Sequence, residues 1–172
     1  MTLLETGGSG FGFSNSSVSS GFNRSREGCL ATPSIRVLLV DDYEPFRQFL
    51  SSRLQGASSV YLFWEASDGL EAVQKAEELQ PDLILLDTSL PKLNGIEVAR
   101  RIRKVALRSK ILFVSQEWSA DAVQEALGTG AEGYLVKTDA RRELLEAVNA
   151  VLRGERFVGR RFSGQLSPKK NG

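Results

Sequence analysis

Five polar residues of this 172-residue chain stand where short apolar runs end, which makes them candidates for shared chemistry. The clearest is Asp87, which follows the run 83–86 and precedes a loop that Pro91 and Gly95 turn. That run is too short for a helix and has the unbroken apolar character of a strand buried in a parallel sheet. The other candidates are Asp41 and Asp42 after one run, Ser115 after another and Lys137 after a third.

The residue types at these positions suit metal and phosphate chemistry. Three carboxylates brought together repel one another and would not all stay ionised without a cation. Ligation by oxygen atoms alone favours a hard ion such as Mg²⁺. A carboxylate is also a nucleophile toward phosphorus, and the Lys137 ammonium could neutralise the charge of a phosphoryl group. Because the ligand crevice of a parallel sheet lies at the carboxyl ends of its strands, we expect these residues to share one site.

Each of these residues taken singly also has an ordinary structural explanation. Asp41 and Asp42 could cap a helix, and Asp87 could be a turn residue. Lys137 could be a solvated surface lysine. Together these explanations require unrelated coincidences at the ends of several strands, so we favour a shared site.

The elements that would position these residues alternate along the chain. Runs of strand length are separated by segments in which apolar residues recur at helical spacing. Five strands alternating with five helices predict an α/β fold: a doubly wound parallel sheet with helices on both faces. The predicted strands are 35–40, 60–66, 83–86, 111–114 and 133–136, and a helix is predicted after each, the last at 141–152.

In order and spacing, these pieces resemble the receiver domains of two-component response regulators. The resemblance covers residues 34–152. Each piece alone is weak, but their joint occurrence in the family's order is a strong signal. The pieces are Val-Leu-Leu-Val-Asp41-Asp42, Leu-Ile-Leu-Leu-Asp87-Thr-Ser-Leu-Pro91 with Asn94-Gly95, Val114-Ser115 and Gly-Tyr134-Leu-Val-Lys137.

The resemblance implies a flavodoxin-like strand order of 2-1-3-4-5, which the alternation of elements alone does not give. It also implies that Asp87 is the phospho-acceptor and that Lys137 assists the transfer. The implied Mg²⁺ ligands are Asp42, Asp87 and the backbone carbonyl of Ser89, while Asp41 acts mainly through water.

The resemblance further implies a switch built on Ser115 and Tyr134. Ser115 would move to bind the phosphoryl group, and Tyr134 would turn inward behind it. A phosphoryl group adds about −1.5 to −2 charge and three strong acceptors, so the face of helix four, strand five and helix five is expected to change shape. The alternative for Tyr134 is an edge aromatic that only packs.

Three positions depart from the pattern common in the family. Gln116 follows the switch serine where a small residue is usual, and its long side chain could obstruct a donor or slow hydrolysis. Glu117 adds a negative charge nearby. Thr138 stands where many relatives have a proline after the lysine. The DNA-binding branch of the family also lacks that proline, so no cis X-Pro bond is expected there.

Composition divides the chain into three parts. Residues 1–33 are rich in Ser and Gly and are predicted to be disordered. Residues 34–152, the predicted receiver domain, carry 14 Lys and Arg against 18 Asp and Glu, whereas residues 153–172 carry 6 against 1. This last part resembles the linker to a helix-turn-helix domain. We interpret it as a basic tail or linker remnant and expect no sequence-specific DNA binding by this chain.

Other features of the composition narrow the class of protein. No histidine is present, so a histidine base or phosphoryl carrier must belong to a partner. The single cysteine, Cys29, fits a reducing compartment. No apolar run approaches the ~20 residues of a membrane span. We therefore expect a cytoplasmic protein without membrane contact.

The leading hypothesis is a Mg²⁺-dependent phospho-acceptor switch rather than an enzyme. It would take a phosphoryl group from a sensor histidine kinase or a histidine phosphotransfer protein, signal to a downstream protein, and could form a homodimer through the face from helix four to helix five. One alternative is a truncated or split transcriptional regulator whose DNA-binding domain is missing from this chain.

A more distant alternative is an aspartate-nucleophile phosphatase of the haloacid dehalogenase type, which also uses Mg²⁺. That chemistry usually requires two aspartates spaced two apart after one strand. In this chain, Ser89 stands at that spacing after Asp87, and Tyr43 stands there after Asp41.

Overall fold

A computed structural model of the protein describes residues 34–57, 59 and 61–162. The Ser- and Gly-rich residues 1–33, predicted to be disordered, lie outside the described residues, as do residues 163–172. Val60, the predicted first residue of the second strand, also lies outside them. Within the described part of the chain, no helix is long and apolar enough to cross a membrane.

Six parallel strands alternate with five α-helices along the described residues. The strands are β1 (Ile35–Val40), β2 (Tyr61–Ala66), β3 (Leu83–Leu86), β4 (Lys110–Ser115), β5 (Gly133–Val136) and β6 (Phe157–Val158). The helices are α1 (Glu44–Gln55), α2 (Gly69–Leu79), α3 (Gly95–Val105), α4 (Ala120–Gly128) and α5 (Ala140–Leu152). Short 3-10 turns follow β5 at Lys137–Asp139 and β6 at Arg160–Phe162.

The strands form one sheet with the order β2-β1-β3-β4-β5-β6, and every neighbouring pair is parallel. The predicted doubly wound α/β fold and its strand order of 2-1-3-4-5 are therefore confirmed, with one strand added at the β5 edge. The chain leaves β1 toward β2 and returns to the other side of β1 with β3. This reversal opens a crevice at the carboxyl ends of β1 and β3.

Apolar side chains fill both faces of the sheet. Leu38 and Val40 pack on the face covered by α2, α3 and α4, whereas Val37 and Leu39 pack on the face covered by α1 and α5. All four are at most 1% exposed. Because both faces are covered, successive strand residues must all be apolar, and this explains the unbroken apolar runs in the sequence.

Helices α2 and α3 begin after residues whose side chains satisfy the first free backbone amides. Asp68 accepts hydrogen bonds from the amides of Leu70 and Glu71 at 3.0 and 2.9 Å. Asn94 accepts one from the amide of Glu97 at 2.9 Å. These caps fix the starts of α2 and α3.

Residues 157–162, which follow α5, pack against the sheet, and the sequence did not predict this. Phe157 and Val158 form β6 beside β5, with Val158 opposite Tyr134. Phe157 and Phe162 are 9% and 1% exposed, so this stretch packs as part of the domain. The interpretation of everything after Leu152 as a tail or linker missed this strand, because two apolar residues are too few to produce a period of two.

Candidate functional site

The carboxyl ends of adjacent strands bring the predicted site residues together. Val40 lies opposite Leu86 in the β1–β3 ladder, so Asp41 and Asp87, which follow them, are neighbours at the crevice. The amide of Asp87 donates a hydrogen bond to the carbonyl of Val40 at 2.9 Å, which holds the two strand ends side by side. The site therefore lies at the point where the strand order reverses.

Three carboxylates meet at this crevice. One ligand oxygen from each of Asp41, Asp42 and Asp87 lies within 4.8 Å of the other two. Asp41 is 1% exposed and Asp87 4%, whereas Asp42 faces solvent. An oxygen-only set of this size, with one member open to water, has the donors that a hard divalent cation needs.

Lys137 reaches into the same crevice from the end of β5. Its Nζ lies 2.6 Å from Asp41 Oδ2 and 2.8 Å from Asp87 Oδ2. Burial alone would lower the pKa of Lys137, but its hydrogen bonds to the two carboxylates outweigh that effect and hold the pKa above its usual value. The ammonium group also lies 4.8 Å from the centre of the Phe46 ring. The site thus contains an ammonium group in contact with two buried acids.

Hydrogen bonds fix the position of Asp41, although its burial disfavours the charged form of the carboxylate. Burial raises the pKa of Asp41, against the opposing hydrogen bonds from Lys137 and the Tyr43 amide. Its Oδ1 accepts from the Tyr43 amide at 2.9 Å, and its backbone carbonyl accepts from Arg47 Nη1 at 2.6 Å. A second cation near this carboxylate would relieve the cost of its burial.

Asp87 retains unused acceptor capacity on both oxygens. Oδ2 accepts from Lys137, and Oδ1 accepts a long hydrogen bond of 3.3 Å from the amide of Ser89. A carboxylate oxygen has room for more than one partner. A Cβ at Gly95 would overlap the carbonyl oxygen of Asp87, so glycine is what lets α3 begin this close to the acid.

Ser115 and Tyr134 belong to one hydrogen-bonded chain. Ser115 Oγ lies 2.5 Å from Thr88 Oγ1 and accepts from the Glu117 amide at 3.1 Å. The Tyr134 hydroxyl donates to the carbonyl of Glu117 at 2.9 Å. Ser115 and Tyr134 are both 0% exposed. Burial raises the pKa of Tyr134, so its hydroxyl stays protonated and remains a donor.

Sequence reasoning missed several residues that shape this site. Thr88 was not singled out, although a hydroxyl directly after Asp87 is a visible signal. Arg47 carries no such signal, because a basic residue early in a helix usually faces solvent. Glu117, in contrast, was named from the sequence, and the structure shows its carboxylate accepting from the amides of Trp118 and Ser119, both at 3.0 Å, just before α4.

A cavity of about 530 Å³ opens beside Lys137. Its wall includes Gln116, the long residue predicted to obstruct the site, and Arg161 from the stretch after α5. Tyr43 and Trp118 also line it, and they are 63% and 66% exposed. Of the residues at the crevice, Lys137 is the one that this cavity shares.

Comparison with known proteins identifies the family. The family model of the response regulator receiver domain matches residues 37–149, which is more than half of the chain. The chain belongs to the response regulator receiver family. The matched residues lie inside the range 34–152 that the sequence motifs indicated, so the predicted family, the receiver domains of two-component response regulators, is confirmed.

Individual relatives of this receiver support the same conclusion. The response regulator protein VraR of Staphylococcus aureus is 36% identical over 122 residues, which cover 71% of this chain and 58% of VraR. The chain thus spans a little over half the length of that relative.

Two solved structures also resemble this receiver. A LuxR-family two-component response regulator from Aurantimonas sp. has a TM-score of 0.67 and 32% identity, covering 73% of this chain and 89% of that one. The receiver domain of the response regulator NarL from Mycobacterium tuberculosis has a TM-score of 0.67 and 33% identity, covering 71% and 98%.

Proposed function

We propose that this receiver accepts a phosphoryl group on Asp87 from a phosphohistidine of a partner and thereby switches a protein-interaction surface. The observation that carries the proposal is the setting of Asp87. This nearly buried carboxylate has a lysine ammonium on one oxygen and two further carboxylates beside it. Such a site supplies a nucleophile and a cation at one point, as phosphoryl transfer to a carboxylate requires.

The donor set also fits Mg²⁺. Asp42, Asp87 and the backbone carbonyl of Ser89 would hold the ion, and Asp41 would act through water. When bound, the ion would neutralise phosphoryl oxygens and offset the repulsion among the carboxylates. Asp42 is the exposed member of the set, so an ion can enter from solvent without displacing the buried acids.

The transfer step requires few protein groups. A carboxylate oxygen of Asp87 forms a bond to phosphorus while the P–N bond to the donor's imidazole breaks, and the electron pair of that bond stays on the imidazole nitrogen. Lys137, already 2.8 Å from Asp87 Oδ2, would donate to an oxygen of the incoming group. The chain has no histidine, so the phosphohistidine is supplied by a sensor histidine kinase or a histidine phosphotransfer protein.

The new phosphoryl group would act on the hydrogen bonds behind it. The Ser115 hydroxyl, which now lies against Thr88, would turn to donate to a phosphoryl oxygen. This movement would change its contact with the Glu117 amide, and the carbonyl of the same residue holds the Tyr134 hydroxyl. Phosphorylation would then favour one of two conformations that exist beforehand.

The surface that responds would be the face formed by α4, β5 and α5. A homodimer through this face is a further proposal. In this chain β6 lies along the outer edge of β5, so that surface includes residues that follow α5. Sedimentation of the protein with and without phosphorylation would test the dimer.

The test of the proposed function is phosphoryl uptake by the whole chain. Wild type is incubated with Mg²⁺ and acetyl phosphate, and its intact mass is measured. We expect a gain of one phosphoryl group that requires Mg²⁺ and is absent in Asp87→Asn. Asp82→Asn is the matched control, because Asp82 is an aspartate at the opposite end of the same strand, just before β3. Absence of uptake by wild type, or uptake by Asp87→Asn, would contradict the proposal.

A further inference from the structure

We propose that residues 157–162, called the C-terminal segment below, are coupled to the phosphorylation site through Tyr134, with Phe162 as the positioning residue. The inference rests on the proposed function of Asp87 as phospho-acceptor. In this view, docking of the C-terminal segment and modification of Asp87 favour each other.

The backbone of the C-terminal segment is bonded to the strand that carries Tyr134. The amide of Phe157 donates to the carbonyl of Glu132 at 3.0 Å, and the amide of Gly159 donates to the carbonyl of Tyr134 itself at 3.0 Å. Val158 lies opposite Tyr134 in the ladder. The segment therefore cannot leave the sheet without releasing the backbone of the switch tyrosine.

The side chain of Phe162 packs directly on the ring of Tyr134. The two ring centres are 6.2 Å apart and the rings meet edge to face at 87°. Phe113 lies on the tyrosine as well, with ring centres 6.2 Å apart. Phe162 is 1% exposed and Tyr134 is 0% exposed, so each ring covers the other from water. Such aromatic contacts favour one geometry over others of equal buried area.

Polar contacts tie the C-terminal segment to α5 and to the turn after β5. Glu143, which is 8% exposed, accepts from the amide of Arg160 at 3.1 Å. Arg161 Nε lies 3.2 Å from Asp139 Oδ2. Asp139 belongs to the 3-10 turn that begins at Lys137. One face of the segment thus contacts the tyrosine, and another contacts the turn that carries the active-site lysine.

A continuous set of contacts connects Asp87 with the C-terminal segment. Thr88, next to Asp87, lies against Ser115, which accepts from the Glu117 amide. The Glu117 carbonyl accepts from Tyr134, whose ring meets Phe162. The inward position of Tyr134 is therefore held from two sides, by its hydrogen bond to the Glu117 carbonyl and by packing from the C-terminal segment.

This arrangement has a thermodynamic consequence. A ligand that favours the inward tyrosine stabilises the docked segment, and the docked segment must raise the affinity for that ligand by the same factor. Couplings between sites usually amount to about 5-fold or more in affinity. Because Phe162 is the side chain of the C-terminal segment that packs on the Tyr134 ring, the coupling should depend on Phe162 more than on overall stability.

The first experiment measures the affinity of the whole chain for beryllofluoride, which stands in for the phosphoryl group, in the presence of Mg²⁺. The readout is Trp118 fluorescence, because this tryptophan lies on the wall of the site cavity. We expect Phe162→Ala to bind at least about 5-fold more weakly than wild type. Phe162→Leu, which keeps an apolar side chain, should recover part of the affinity.

Leu54→Ala is the matched control for a general loss of stability. Leu54 is 0% exposed and packs in the core on the other face of the sheet, away from Tyr134. It should lower stability while leaving the beryllofluoride affinity near that of wild type. In a Tyr134→Ala background, Phe162→Ala should have little further effect on affinity, because the two residues act in series.

The second experiment follows hydrogen exchange of the amides of Phe157, Gly159, Arg160 and Phe162 in wild type and Asp87→Asn. Beryllofluoride with Mg²⁺ should slow their exchange in wild type alone. If wild type responds to beryllofluoride but these amides do not, or if Phe162→Ala and Phe162→Leu bind it as wild type does, the coupling is wrong and the proposed function stands. If wild type fails to respond at all, both are wrong.

Discussion

The sheet has a carboxyl edge, where its strands end, and an amino edge, where they begin. These two edges use partly buried charge in opposite ways. At the carboxyl ends of the strands three carboxylates meet, and two of them, Asp41 and Asp87, share the Lys137 ammonium at 2.6 and 2.8 Å. Negative charge is in excess there, and burial raises the pKa of Asp41. This edge is stabilised by whatever cation or neutralising group joins it.

At the amino ends, oppositely charged side chains are paired. Asp82 accepts from the backbone amide of Arg36 at 2.8 Å and from its guanidinium at 3.2 Å. Arg103 reaches Glu132 at 2.7 Å and the carbonyl of Ser109 at 2.8 Å. Asp82 and Glu132 thus each have a cationic partner. The difference indicates that an unbalanced set of charges, rather than the number of charges, marks the functional edge of the sheet.

Replacing the central acid should have the largest functional effect and little structural cost. Asp87→Asn should abolish phosphoryl uptake, as measured by intact mass. Without Mg²⁺, its free energy of unfolding should be unchanged or higher by about 1 kcal/mol, because one of three crowded carboxylates is neutralised at constant shape. A clear loss of stability in urea denaturation would mean that the carboxyl edge is as well matched as the amino edge.

Removing the cation from the carboxyl edge should have the largest effect on stability. Lys137→Met leaves Asp41 and Asp87 without their ion pair, and breaking such a buried pair costs about 3 kcal/mol. Part of this loss should be recovered when Mg²⁺ is added, since the ion replaces the missing positive charge. Urea denaturation with and without Mg²⁺ measures both quantities.

The control for this comparison is Lys110→Met. Lys110 lies 3.8 Å from Glu132 at the amino edge and is 36% exposed, so the loss should be within about 1 kcal/mol. Addition of Mg²⁺ should not change this loss of stability. An equal response of both variants to Mg²⁺ would remove the distinction between the two edges.

Arg103→Met should cost less than Lys137→Met and should be indifferent to Mg²⁺. The substitution removes charged hydrogen bonds to Glu132 and to the Ser109 carbonyl, for an expected loss of about 2 kcal/mol in urea denaturation. Arg101→Met is its matched control, because Arg101 pairs with Glu97 at 3.1 Å on the exposed face of α3 and should cost at most about 0.5 kcal/mol. Equal losses for the two variants would contradict a structural role for Arg103.

The amino edge also illustrates a limit of sequence reasoning. The run that contains Arg100, Arg101 and Arg103 has the spacing of a solvated helix face, and that interpretation suits Arg101. For Arg103 it is wrong, because its guanidinium is half-buried against residues that precede β4 and β5. Only the packing of α3 against the sheet brings these groups together, and helical periodicity carries no such long-range information.

The carboxyl edge was more predictable for a physical reason. Strands buried on both faces leave unbroken apolar runs, and the first polar residue after each run is therefore visible in the sequence. Asp41, Asp87 and Lys137 were found in this way, and the structure brings them into contact. The hydrogen bonds of Thr88 and the two-residue strand β6 depend on loop geometry. The spacing of apolar residues in the sequence does not predict loop geometry.

The smallest predicted effect concerns the pH dependence of the matched pair at the amino edge. Burial alone would raise the pKa of Asp82, but its hydrogen bonds from Arg36 outweigh that effect and lower the pKa below its usual value. An acid with a lowered pKa in the folded state contributes stability above its unfolded pKa of about 3.9, and loses it as the pH falls further. Both side chains are 42% exposed, so the contribution should not exceed about 1 kcal/mol.

Urea denaturation of wild type and Asp82→Asn at several pH values would measure this contribution. Wild type should be the more stable protein at pH 6, and the difference should shrink as the pH falls below about 4. Arg36→Met separates the contribution of the Arg36 guanidinium to the pH dependence from that of the Arg36 backbone amide. The backbone amide of residue 36 still donates to Asp82 in that variant, so a reduced pH dependence should persist. A difference between wild type and Asp82→Asn that is the same at pH 6 and pH 3 would mean that shape, rather than matched charge, stabilises this edge.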